Sequence, residues 1–92
     1  MHGSGDELKV FYKVKVFLGE VYLAFVHKQF KIEQVYHYFD KHSSGVVKYS
    51  EFWAMLYELG FEPGEELERK VVNYLDRTKA RVIDIRVLMN EL

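Results

Sequence analysis

Asp40-Lys41-His42-Ser43-Ser44-Gly45-Val46-Val47-Lys48-Tyr49-Ser50-Glu51 has a carboxylate at each end and a Ser-Ser-Gly centre. That centre is loop chemistry, because Gly45 supplies a positive φ without a Cβ penalty and short hydroxyls bond to nearby backbone. Two aliphatics, Val46 and Val47, then lead into an apolar run. Both flanks read as helix: Ile32 to Phe39 upstream, and Ser50 to about Leu59 downstream, presenting Phe52, Trp53, Met55, Leu56 and Leu59. Gly60 sits where a left-handed C′ residue ends a helix. The same plan returns further on. Pro63 suits the first turn of a helix whose Glu65 and Glu66 lie beside the positive end of its dipole. That helix carries Leu67, Val71, Val72, Tyr74 and Leu75 into a charged loop, Asp76 to Arg81, followed by Val82-Ile83. Asp84 then caps a last helix containing Ile85, Leu88 and Leu92. Asp40 and Asp76 lie 36 residues apart, as do Val47 and Ile83, so one supersecondary unit has been used twice.

The composition sets outer bounds. The chain has 92 residues, 49% of them hydrophobic, with seven Phe, seven Tyr and one Trp, which suits a single compact core. A net charge of −1 gives no global field toward nucleic acid or a membrane surface. Charge is uneven, however. Seven lysines between Lys9 and Lys48 face only Glu20, Glu33 and Asp40, whereas Glu51 to Glu68 holds six glutamates and no basic residue. The absence of cysteine removes disulfides, thiolate metal sites and cysteine nucleophiles, and fits a cytoplasmic setting. Val16 to Val26, interrupted by Gly19 and Glu20, is shorter than the roughly 20 apolar residues a membrane span needs. Residues 1–5 read as an expression-tag remnant.

The twelve-residue stretch resembles the calcium loop of the EF-hand superfamily, the calmodulin-like helix–loop–helix pairs. That loop takes oxygen ligands from slots 1, 3, 5, 7, 9 and 12 and has Gly at slot 6. On this frame Asp40, His42, Ser44, Val46 (by its carbonyl), Lys48 and Glu51 fall on the ligand slots, and Gly45 on the turn. Val47 is the slot-8 aliphatic that bridges to Ile83 of the partner loop. The resemblance implies an all-α domain with paired EF-hands, a four-helix lobe at residues 32–92 (first hand about 32–60, second about 63–92). An additional N-terminal apolar helix would occupy residues 6–31.

The ligands fall short of the pattern. His42 offers nitrogen to a hard ion that wants oxygen, and Lys48 adds a cation where a side chain should orient water. Two carboxylates remain, so one calcium ion would bind weakly, with a dissociation constant of roughly 10⁻⁴ M or above. In the second loop Ala80 and Val87 cannot ligate, Arg81 stands in place of the turn glycine, and no ion is expected. His27, His37 and His42 lack chelating geometry, since the last two straddle a helix end. No nucleophile–base pair or phosphate-cradling loop stands out, so the chain reads as non-enzymatic.

The resemblance further implies a groove for an amphipathic partner helix or another domain of a parent protein, lined by Phe39, Phe52, Trp53, Met55, Leu56, Val71, Leu75 and Leu88. Few methionines and many rigid aromatics favour a fixed partner. Two function classes are open. One is a degenerate interaction or structural module of the kind found in cytoskeletal proteins; the other is a regulatory sensor switched by calcium between Asp40 and Glu51. The surplus segment from Glu7 to Phe30 is too apolar to stay solvated. It fits an internal target helix lying in the groove, or a connecting or dimerising helix that continues into a larger protein. Residues 9–18 also alternate like a strand, although the pattern runs on past ordinary strand length, which favours helix.

Overall fold

In a computed structural model the chain is described from Gly3 to Leu92, with side chains from Leu8 onward. Among the described residues it forms α1 (Gly3–His27), α2 (Ile32–Phe39), β1 (Val46–Lys48), α3 (Tyr49–Glu58), α4 (Glu65–Leu75), β2 (Val82–Asp84) and α5 (Ile85–Glu91). The molecule is thus largely helical, with one small sheet. None of these helices is long and apolar enough to cross a membrane.

Residues 9–18 are helix, and α1 continues unbroken through Gly19. It starts earlier and stops sooner than residues 6–31: three residues of the tag-like opening join it, and Gln29 at φ 62° turns the chain after His27. Met1 and His2 lie outside the described residues. Pro63 does not open α4. Gly64, at φ 88°, takes the N-cap position and Glu65 begins the helix, so the proline shapes the approach rather than the first turn. The end of α3 follows expectation. Gly60 N–H donates to Tyr57 O and Phe61 N–H to Leu56 O, both at 3.0 Å, with Gly60 at φ 98°.

The two helix–loop–strand–helix units meet through β1 and β2, which pair antiparallel with Val46 opposite Asp84, Val47 opposite Ile83 and Lys48 opposite Val82. Val47 and Ile83 point inward and are buried, which ties the sheet to the core. The core is one continuous cluster fed by every helix. From α1 it takes Val14, Phe17, Leu18, Val21 and Phe25, a row of one helical face. Phe25 packs edge-on against Phe39 at 5.6 Å between ring centres, and Phe17 lies 6.0 Å from Trp53 and 5.5 Å from Phe61. Such pairs add to simple area burial.

Candidate functional site

The first loop is closed by its own hydrogen bonds. Asp40, buried at the end of α2, accepts the backbone N–H groups of Ser44 (2.9 Å) and Gly45 (3.1 Å) on Oδ1. Ser44 Oγ donates to Val46 O at 3.0 Å, so the slot-5 hydroxyl and the slot-7 carbonyl bond each other. Glu51, in the first turn of α3, accepts Lys48 N–H on Oε1 at 3.3 Å, and its Oε2 lies 3.4 Å from His42 Nε2. Lys48 is exposed on β1. The oxygens that could face a cation are therefore Asp40, Ser44, Val46 O and Glu51, with the His42 imidazole beside the last of them. Among the described residues no three His, Asp or Glu side chains converge as a metal cluster would. This donor set does not fit a tightly held calcium ion, which takes six to eight oxygens.

The second loop follows the same path. Ala80 N–H donates to Asp76 Oδ1 at 3.0 Å and Arg81 N–H to Oδ2 at 2.9 Å. Asp76 also accepts the hydroxyl of Tyr49, a residue of the other unit. The two groups move each other's ionisation. The phenol's hydrogen bond, helped by the two backbone donors, holds the Asp76 carboxyl below its usual range. The same bond pushes Tyr49 up to about 12. This contact crosses between units at the loop level and was missed from sequence. The only hint was a carboxylate retained at Asp76 in a loop without ligands, since a buried carboxylate needs donors from somewhere.

The eight residues expected to line a partner groove, Phe39, Phe52, Trp53, Met55, Leu56, Val71, Leu75 and Leu88, are all buried. The inner row of α1 belongs to the same cluster, with Phe17 set against Trp53 and Phe25 against Phe39. None of the eight is open to an outside helix in this structure, and α1, a 25-residue helix joined to the rest by a short turn, reaches their cluster at little entropic cost. A polar clasp fastens the rim. Lys15 Nζ pairs with Glu91 Oε1 at 2.8 Å, and the Tyr74 hydroxyl donates to the same oxygen at 2.9 Å. The ammonium group holds the Glu91 carboxyl below its usual range. Lys15 also lies 5.9 Å from the Phe11 ring centre and 6.0 Å from that of Tyr74. Spacing could not show this clasp, since its members are 76 residues apart.

Comparison with models of known protein families, with curated proteins and with solved structures returns no match.

Proposed function

We propose that the chain is an EF-hand-like pair serving as a non-enzymatic, cation-independent interaction or structural module, with α1 held where a target helix would lie. The observation that carries this reading is that all eight residues expected to line a groove are buried in one cluster with the inner row of α1. Supporting the pair itself are the two loops of matching path, joined through Val47 and Ile83. Supporting cation independence is the way Asp40, Ser44 and Asp76 satisfy their own polar atoms. A partner's amphipathic helix, or another domain of a longer protein, would then gain the groove only by displacing α1. A cytoplasmic, cytoskeleton-associated scaffold is a setting in which such a module would serve.

One observation keeps a second reading in play. Asp40, Gly45 and Glu51 retain the ends and the turn of a calcium loop, and Glu51 belongs to α3, so a bound ion would pull on that helix.

Trp53 lies under α1, close to Phe17 and Phe52, and reports on both readings. The module reading expects flat Trp53 fluorescence up to about 1 mM calcium, in the range of weak extracellular-type sites. A saturable change that resists magnesium and disappears in Glu51→Gln would establish the sensor instead. The internal-target reading is tested by mixing residues 31–92 with a peptide of residues 3–27. Saturable one-to-one binding is expected, and lack of binding would sink it.

A further inference from the structure

Helix α1 is apolar on two opposite faces, and only one of them is used within the chain. The inner row, Val14, Leu18, Val21 and Phe25, is buried. On the outer face Tyr12, Val16, Leu23 and Val26 are 70%, 45%, 52% and 47% exposed. With Gly19 between them they form a row at spacings of 4, 3, 4 and 3, the repeat of a helix-pairing seam. At 3.6 residues per turn the two rows lie roughly 150° apart. Beside the outer row a groove of about 730 Å³, lined in part by Val16, Phe61 and Leu67, extends the apolar surface.

Gly19 is the telling residue. A glycine inside a helix weakens it relative to alanine, so its presence needs a reason. Among the described residues nothing supplies one, because a Cβ built there meets no atom within 4 Å. A notch in the middle of an exposed apolar row admits a side chain from another helix.

We propose that this face binds a second copy of the chain, with the two α1 helices antiparallel and the twofold axis midway between Val16 and Gly19. Each Val16 then seats on the Gly19 of the other copy, and each Tyr12 lies level with the other's Leu23. Alternating layers of this kind are how antiparallel seams interlock. The charges select the same arrangement. Lys13 and Glu20 flank one side of the row, and neither forms an ion pair among the described residues. Under this twofold, Lys13 of each copy comes within two residues of the other's Glu20, an axial offset of about 3 Å. A parallel pair would instead stack Gly19 on Gly19 and Tyr12 on Tyr12. Its opposite-charge pair, Lys15 with Glu20, would compete with the Lys15–Glu91 clasp.

The exposed parts of the row amount to about 500 Å² per copy, less than the roughly 800 Å² per partner of a standard interface. An interface below that size belongs to the weak, transient class. The inference concerns the outer face alone and holds whichever reading of the loops is correct.

Sedimentation equilibrium of the full chain between about 5 and 500 µM, the range in which weak complexes form, tests it. A reversible monomer–dimer transition is expected. Glu20→Lys should weaken dimerisation about tenfold, by placing Lys13 against a second lysine. Adding Lys13→Glu should restore it to within about twofold, since the pair is only reversed. Gly19→Leu, which has room in the monomer, should weaken dimerisation more than tenfold by filling the notch, with helicity unchanged or raised in circular dichroism. A merely sticky surface would give the opposite result, because leucine adds apolar area. Tighter association of Gly19→Leu, or no rescue by the double reversal, overturns the proposal. So does a monomer at every concentration, including one that binds anionic lipid vesicles through the same face.

Discussion

The two loops trace the same path from very different residues. Each begins with a buried aspartate that gathers the backbone N–H groups four and five residues later. Each has two left-handed residues at matching places, Ser43 (φ 54°) and Gly45 (φ 79°) in the first, Lys79 (φ 55°) and Arg81 (φ 66°) in the second. Each ends in an aliphatic that faces the other across the sheet. They differ in what surrounds the carboxylates. Asp40 relies on its own loop, whereas Asp76 takes a third donor, the Tyr49 hydroxyl, from the opposite unit. The exit helices are also capped differently. Asp84 accepts Arg86 N–H at 2.8 Å, while at the first loop Glu51 reaches back to Lys48 N–H. The shared features are those that bend the chain, and the features that differ are the side chains gathered around the carboxylates and at the exit helices. A loop path can therefore persist on backbone and carboxylate hydrogen bonding alone.

If the pairing of the loops is what keeps their paths alike, the largest effects should come from its two central residues. Ile83 is fully buried and Val47 nearly so. Ile83→Ala should cost about 3 kcal/mol, and Val47→Ala about 2 kcal/mol, from lost burial plus the cavity left behind. Urea denaturation followed at Trp53 measures both. Because the residues touch, the double variant should cost less than the sum of the two. Additive losses would mean that the loops are stabilised separately and that the sheet is incidental.

Next in size is the asymmetric contact. Tyr49→Phe removes a donor to a carboxylate that keeps two others, and should cost about 1–2 kcal/mol. The contact also has a pH signature. Tyr49 is raised above its ordinary value of 10.0, so its contribution is complete below that pH and is lost as pH climbs toward about 12. Asp76 is lowered, so its contribution is present above the ordinary carboxylate value and is lost as pH falls through the depressed one. The stability difference between the wild-type chain and Tyr49→Phe should thus be level near neutrality and shrink above pH 10. An unchanged difference at alkaline pH would show that the ring, rather than its hydroxyl, matters.

Much of this arrangement was legible in the residues, and the reasons are local. The 36-residue repeat located both loops, the partner aliphatics and the residue register between them. Gly60 marked the end of α3 and Asp84 capped α5, because caps are written in one or two side chains. Two things were hidden. One was which of two destinations α1 takes: periodicity shows that an apolar face must be buried, and it does not choose between the chain's own core and another chain. The dense apolar pattern from Glu7 to Phe30 also blurred the two rows, since a helix apolar on opposite sides has no single face to read. The other was every contact between distant side chains, such as Tyr49 with Asp76 and Lys15 with Glu91, which depends on packing of elements far apart in the chain. The first loop could be set residue by residue against a calcium-loop frame, yet only geometry shows Ser44 bonded to the Val46 carbonyl and His42 beside Glu51.

The smallest expected effect concerns the turn position, and it should have opposite signs in the two loops. Gly45 and Arg81 occupy the same left-handed place, which glycine adopts freely and a residue with a Cβ adopts at a cost of about 1–2 kcal/mol. Gly45 has open space around its would-be Cβ, so Gly45→Ala probes backbone conformation without a clash. It should destabilise by about 1 kcal/mol, less whatever is returned by a stiffer unfolded chain. Arg81→Gly relieves the same conformational cost while loosening the unfolded state, and should stabilise by about 0.5 kcal/mol. Arg81 donates only its backbone N–H to Asp76, a bond that glycine keeps. Exchanging the two residues, Gly45→Arg with Arg81→Gly, would leave the number of strained turns unchanged and should move the urea midpoint little. If Arg81→Gly instead destabilises, the arginine side chain must stabilise the folded second loop by more than its backbone strain costs. The two loops would then share a path for different reasons.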